Sequence, residues 1–382
     1  MANNSNQNVT HVFLRHPPMR DFLLEFVPVG VWAEQVIPPL WYFIGFIGNP
    51  LSAFIWLSKR MRRNNSSAIY LGALSISDTV FLLLHLLWIL HTTWGVDTYT
   101  APIGCELFHL LFYTTQYFVA FLVFCFTFER YVAVCHPFIK EKLCTVRRAV
   151  IITISLLFLT FGLSLAQLYI WTYDEGHQIC IIRAEANEGG HESFYYAWSL
   201  ATDIIIYCIV PLATLVFNCL VLREICRISR SETTRQQSSM NKSASTLTLL
   251  TVSFYFVVTQ MTATIVARLD TTFPSGEKVF LTDDEMREDP VWSRFFSYMN
   301  ARKVIEMLCL SHYTVYFLIY CATGKKFREF AVNIFTSYFK LGCLKKVCLK
   351  SDVGEGRTSY SMVASHTGQY ENTMHTNVST SM

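Results

Sequence analysis

Seven stretches of mainly apolar residues recur along the chain, at about 33–57, 68–91, 106–135, 149–171, 195–222, 246–267 and 301–322. A helix rises about 1.5 Å per residue, so roughly 20 such residues cross a hydrocarbon core about 30 Å thick. Each stretch reaches that length. The pattern predicts an all-α membrane protein, a seven-transmembrane helix bundle over 33–322. Residues 1–32 read as a polar tail with no basic region followed by an apolar core, hence no cleavable signal is expected there. Beyond the seventh stretch, Phe327, Phe330, Ala331, Ile334, Phe335 and Tyr338 recur on one side, beside Lys325, Lys326 and Arg328. That spacing predicts a short amphipathic helix on the membrane surface over 323–340. Residues 341–382 are rich in Ser, Thr, Gly and Asn, which predicts a disordered tail.

Composition narrows the classes. Of 382 residues, 52% are hydrophobic, 15% aromatic and only 15% charged, against roughly 25% charged in soluble domains. With a mean hydropathy of +0.33, a water-soluble enzyme is excluded. The net charge of +3 is too small to argue for nucleic acid. The charge pattern between the spans is more telling. The loop at 58–67 holds Lys59, Arg60, Arg62 and Arg63 with no acid, and 136–148 holds four bases against Glu141 alone. The loop at 223–245 is also basic. By contrast, 172–193 has Arg183 against five acids, and 268–300 has four bases against seven acids. Basic loops stay in the cytoplasm, so a multi-pass protein of the plasma membrane with its amino end outside is expected. Asn3 and Asn8 then become glycosylation acceptors. Of twelve Cys, only Cys105 and Cys180 fall on the oxidising side, and they are expected to pair.

An ionisable group at membrane depth costs at least ~2.5–3.5 kcal/mol. Asp78, Glu129, Arg130, Asp203 and Glu306 carry that cost, and His85 and His312 add two titratable rings. Counting back from Arg130 in helical steps gives Phe126, Val123, Val119, Gln116 and Phe112, one stripe turned inward. Glu129 can neutralise its neighbour Arg130. Such a pair suits a latch, or equally a snorkelling interfacial charge.

Glu129-Arg130-Tyr131, followed by Cys135-His136-Pro137, resembles the E/D-R-Y signature that ends the third helix of rhodopsin-like (class A) G-protein-coupled receptors. Gly48-Asn49, Leu74 to Asp78, Trp94-Gly95, Cys105 at 25 residues before Arg130, Pro211, Phe254 and Tyr320 fall in order with that family's patterns. The resemblance covers about residues 40–340. It implies that Glu129, Arg130, Tyr131, Asp78 and Tyr320 serve activation and coupling to a heterotrimeric G protein. The departures mark a divergent, neuropeptide-receptor-like branch. The sixth span reads Val257-Val258-Thr259-Gln260 where the family carries C-W-x-P, and the seventh reads Tyr316 to Tyr320 where it carries N-P-x-x-Y. Positions that would complete a cation site with Asp78 are Val119, His312 and Tyr316, so a hydrogen bond between Asp78 and His312 is expected instead.

The ligand is narrowed by elimination and charge. Phe112 stands where amine receptors of the family carry an acid, and Leu310 where retinal would need a lysine. The acidic outer loops, with Asp283, Asp284, Glu285, Glu288 and Asp289 close together, would steer a cation inward. Asp203 and Glu306 are the carboxylates to receive a ligand Arg or amine, unless they pair with a neighbouring helix through His109, Arg302 or Lys303. Trp88, His85, Phe112 and Gln116 form the walls. By analogy with the peptide branch of the family it resembles, an Arg-containing, amidated neuropeptide is the expected ligand. A chemosensory receptor for a small molecule on the same fold is the alternative, and a transporter or channel is further off because repeats and broken polar helices are not evident. On the inner side, Cys343 and Cys348 are palmitoylation candidates. Ser359, Ser361, Ser365 and Thr367 would recruit an arrestin-like partner once phosphorylated. No cofactor, metal or nucleic acid is expected.

Overall fold

The computed structural model describes residues 19–63, 65–176, 178–231, 239–276 and 280–339. The chain divides into two units, residues 1–331 and 332–382, and the bundle belongs to the first. Asn3, Asn8, Cys343, Cys348 and the Ser/Thr-rich tail fall outside the described residues. Seven helices are long and apolar enough to cross a membrane: Pro28–Leu57, Ser67–Thr92, Gly104–Cys135, Val146–Ile170, Phe194–Ile228, Leu247–Thr271 and Pro290–Thr323. Helices satisfy every backbone donor within one segment, which is what a lipid phase demands.

The first and seventh helices begin earlier than the apolar pattern. The first helix starts at Pro28 rather than 33, after a separate helix at Met19–Phe26 inside the expected tail. The seventh starts at Pro290 rather than 301, after a short helix at Asp283–Glu288. The second correction has a local cause. Thr282 and Glu285 close a reciprocal capping box, and Asp289 accepts from the backbone N–H of Val291 and Trp292 just before a proline at the first helical position. Glu285 and Asp289 are therefore helix caps rather than free acids of a steering surface. A further departure from an all-α chain is the antiparallel hairpin of β1 (Trp171–Asp174) and β2 (Ile179–Ile182), with Tyr173 opposite Cys180.

Two helices are interrupted. In the fifth, Ile205–Ile209 forms a π turn, and the N–H of Val210 reaches back five residues to Ile205. Pro211 follows at once and has no N–H to offer, which explains the widened turn. The seventh breaks at Leu310–Ser311 without any proline. There Ser311 Oγ donates to the Leu308 carbonyl at 2.5 Å and His312 Nδ1 to the Cys309 carbonyl at 2.8 Å. Side chains thus compete for carbonyls that a continuous helix would use.

Small residues set how closely the first helix approaches its neighbours. A Cβ on Gly45 would stand 2.3 Å from Leu82 Cδ1 and 2.9 Å from Thr314 Cγ2. Gly45→Val is therefore expected to cost about 1–3 kcal/mol through overpacking, read as a fall of a few degrees in the Tm of detergent-purified protein. An unchanged Tm would show that the three helices do not meet there. Close by, Asn49 Nδ2 donates to the Tyr313 carbonyl at 2.7 Å. At the Arg130 end, Trp56, Tyr320 and Phe327 form a triangle of rings with centroids 5.2–5.3 Å apart. Phe327 and Ala331 are the buried face of the helix Lys325–Phe339. Side chains from Phe335 on are not described.

Candidate functional site

The inward stripe of the third helix is present as the spacing requires. Phe126, Val123 and Val119 are fully enclosed. Toward the hairpin end the stripe leaves the core, and Gln116 and Phe112 line a cavity of about 560 Å³. That is within the roughly 300–1,000 Å³ typical of ligand pockets. His85, Trp88, Asp203 and Glu306 line it too, so all six residues singled out from the sequence meet in one space.

The walls are aromatic and interlocked. Phe81 stacks on Tyr313 at 3.8 Å and touches Phe112 at 5.2 Å between centroids. His85 shares a hydrogen bond of 2.8 Å with Tyr42 and packs on Trp88 at 5.4 Å. The Tyr207 hydroxyl donates to Gln116 Oε1 at 2.9 Å, tying the fifth helix to the third. At the rim, Tyr99 stacks on Phe108 at 3.8 Å, and burial pushes its phenol up to about 12. The roof is the hairpin. Cys105 and Cys180 form a disulfide, and Trp171 lies flat on His109 at 3.8 Å.

Asp203 and Glu306 each hold a guanidinium within the cavity. Arg268 at the end of the sixth helix forms an ion pair with Asp203 of the fifth and donates to Ser199 Oγ at 3.2 Å. Arg302 Nε pairs with Glu306 Oε1 at 2.8 Å, one turn along the seventh helix. Lys303, a candidate partner for these acids, instead pairs with the buried Glu34 of the first helix at 2.6 Å. The two carboxylates thus face the cavity but are paired, which is the alternative left open above, with Arg302 the foreseen partner of Glu306 and Arg268 an unforeseen one for Asp203. With Asp270, three carboxylates meet two guanidiniums on the lining. Sequence reasoning missed Arg268 by counting it as loop charge. Its signal was that residues 243–267 carry no charge at all, so a lone terminal cation on that helix must find its partner elsewhere.

Two further expectations fail deeper in the bundle. Asp78 is fully enclosed, but among the described residues neither of its oxygens has a hydrogen-bond partner, His312 included. The His312 ring is held by the Cys309 carbonyl at the helix break and packs between Phe256 and Tyr313. Likewise Glu129 and Arg130 do not form an ion pair with each other. Glu129 accepts from Ser66 Oγ and Arg130 donates to Ser67 Oγ, so each is held by one of two successive serines at the start of the second helix and the two charges act on each other through space. Tyr131 stands apart, against Phe217 at 5.1 Å. In the adjoining loop, burial and then the nearby Glu129 push the Cys144 thiol above its ordinary range, which makes it a poor nucleophile. The sixth helix is held at this end by Thr323 Oγ1 donating to Thr248 Oγ1 at 2.8 Å and by Ser253 Oγ donating to Asn218 Oδ1 at 2.9 Å.

Comparison with known proteins follows the same outline. Residues 48–320 match the family described as 7 transmembrane receptor (rhodopsin family). The chain is 26% identical over 333 residues to the FMRFamide receptor of Drosophila melanogaster, covering 82% of this chain and 55% of that protein. It is 25% identical over 316 residues to the human C-C chemokine receptor type 1, covering 80% of each. Over 130 residues it is 30% identical to apelin receptor A of Xenopus laevis, 33% of this chain and 35% of that one. The chain thus spans about half the length of the FMRFamide receptor and about a third of the apelin receptor.

Proposed function

Because the chain belongs to the rhodopsin family of seven-transmembrane receptors, and so is a multi-pass receptor rather than an enzyme, we propose that it is a plasma-membrane receptor for an extracellular Arg-containing, amidated peptide. The amino end and the hairpin face outward in this reading, as the loop charges argue. The peptide enters beneath the hairpin, and the Arg130 end engages a heterotrimeric G protein. Glu306 and Asp203 receive the ligand's cation, while Gln116, Phe112, Trp88 and His85 hold its apolar and amide groups. Glu129, Arg130, Tyr131, Asp78 and Tyr320 carry the response inward.

The observation that supports this most is an aromatic cavity whose carboxylates already hold guanidiniums. A pocket that stabilises Arg268 and Arg302 has the planar, two-oxygen acceptors that an incoming arginine needs. The Drosophila relative supports it by its name, which spells a Phe-Met-Arg-Phe amide. A ligand that binds one arrangement of the bundle more tightly shifts the population toward it, so no chemistry on the ligand is required.

Glu306→Gln tests the reading. Against amidated Arg peptides, with FMRFamide first, the variant is expected to lose about 10- to 100-fold in potency, the worth of a charge-assisted hydrogen bond. Against analogues with norleucine in place of arginine it should lose little. Equal losses for both would remove the carboxylate from ligand recognition.

A further inference from the structure

The sixth helix runs from Ser239 to Arg268 with neither proline nor glycine inside it. Sharp kinks arise at proline, at Gly/Ser pairs or at π turns, and this segment has none of them. At about 1.5 Å per residue it is a rod of about 45 Å. Its ends are held by different devices. At the hairpin end Arg268 pairs with Asp203 and donates to both Ser199 Oγ, at 3.2 Å, and the Ser199 carbonyl, at 3.4 Å, so one guanidinium grips two successive turns of the fifth helix. At the far end, among the described residues, neutral hydroxyl bonds through Thr248 and Ser253 hold it. Between them, the Tyr255 hydroxyl shares a bond of 2.7 Å with Ser311, right at the break of the seventh helix.

We propose that the Asp203–Arg268 ion pair is the resting clasp of the sixth helix and that ligand activates the receptor by exchanging into it. This deepens the reading above and rests on it. A ligand guanidinium takes Asp203 from Arg268, like for like, so one ion pair is lost and one is gained. The freed Arg268 turns to a carbonyl of the ligand, and the clasp between fifth and sixth helices opens. An unkinked rod pivoting near Tyr255 carries that displacement to Thr248, which supplies the inner opening without the hinge proline and tryptophan that the sixth helix lacks. The ligand must therefore bring a cation to the fifth helix, and a neutral molecule filling the same cavity leaves the clasp closed.

The test is a double-mutant cycle with neutral changes, Asp203→Asn, Arg268→Gln and the two together, on receptor in nanodiscs without ligand. Two readouts are taken. A ¹⁹F label at Leu247→Cys, on an exposed site of the sixth helix, reports the displaced population in a background where the exposed Cys219 and Cys226 are serine. Basal nucleotide exchange by purified G protein reports coupling. Each single variant is expected to raise the displaced population about fivefold or more, and the double variant to match either single because the pair acts as a unit. Populations at the wild-type level, or effects of the singles that simply add, would overturn the clasp. A raised population with no basal or peptide-stimulated exchange would leave the clasp standing and sink the G-protein reading instead.

Discussion

Receptor carrying Cys105→Ser together with Cys180→Ser is expected to melt roughly 10 °C below wild type and to lose most of its ligand-binding capacity. The two residues are 75 apart in sequence, and closing a loop of that length is worth about 4 kcal/mol in the chain-entropy account. At a few degrees per kcal/mol for a chain above 150 residues, the melting shift follows. The functional loss has a more local origin. The bridge fixes β2 to the start of the third helix, and β1 then lays Trp171 on His109 over the cavity mouth. Without the bridge, two four-residue strands must hold the roof alone, and an isolated hairpin is marginal in water. Gentle reduction of wild-type protein should reproduce the double variant. A melting temperature indistinguishable from wild type would mean that the hairpin is anchored by its rings and not by sulfur.

A second large effect is expected at Trp292. Its side chain is fully enclosed among Phe22, Phe26, Val27, Met286 and Phe296, a cluster separate from the bundle's own core. Gly276 lies against it so closely that a Cβ there would meet the indole at 2.3 Å. Arg287 closes the edge, pairing with Glu25 and sitting 5.1 Å above the Phe26 ring. Truncating a buried tryptophan costs about 3–5 kcal/mol. In Trp292→Ala this exceeds what a helix of eight residues can otherwise muster. The expected result is local: amides of residues 19–26 lose hydrogen-exchange protection, and Asp283–Glu288 with them, while the seven long helices keep theirs. Unchanged protection of Met19–Phe26 would show that this helix is held by something other than the cluster.

How much of this was legible from the residues depends on what each feature needed. The seven helices and the inward stripe through Val119, Val123 and Phe126 follow from periodicity and length alone, because lipid leaves the backbone no other solution. The cavity residues followed because a charge or amide within a span must face inward. What stayed hidden were partners. Asp203 announced that it needed a cation, and the uncharged run before Arg268 marked that residue as needing a partner, but nothing in the sequence joined the two across helices. Glu129 and Arg130 are adjacent in sequence, which suggested an ion pair, yet adjacent residues on a helix do not face each other, and Ser66 and Ser67 supply closer acceptors and donors. The N-terminal helix and the early start of the seventh were obscured by polar residues that interrupt the apolar runs. Their cap signals, Thr282 with Glu285 and Asp289 with Pro290, were nonetheless written in the chain.

Where a proline bends a helix, the bend is covalent, since that nitrogen never has a hydrogen to give back. The discontinuity of the seventh helix is of another kind. Leu310 and Ser311 keep their N–H groups, which donate to Glu306 O at 2.9 Å and Leu308 O at 3.1 Å. Ser311 Oγ and His312 merely borrow carbonyls for as long as their rotamers last. The joint is therefore erasable without any covalent change: once the two side chains rotate away, the backbone N–H groups of Ser311 and Tyr313, now bonded three residues back to Leu308 and Leu310, are free to shift to the four-residue ladder and fuse the two halves into one shaft. Straightening, which a proline-bearing counterpart is denied, is an additional degree of freedom for this molecule.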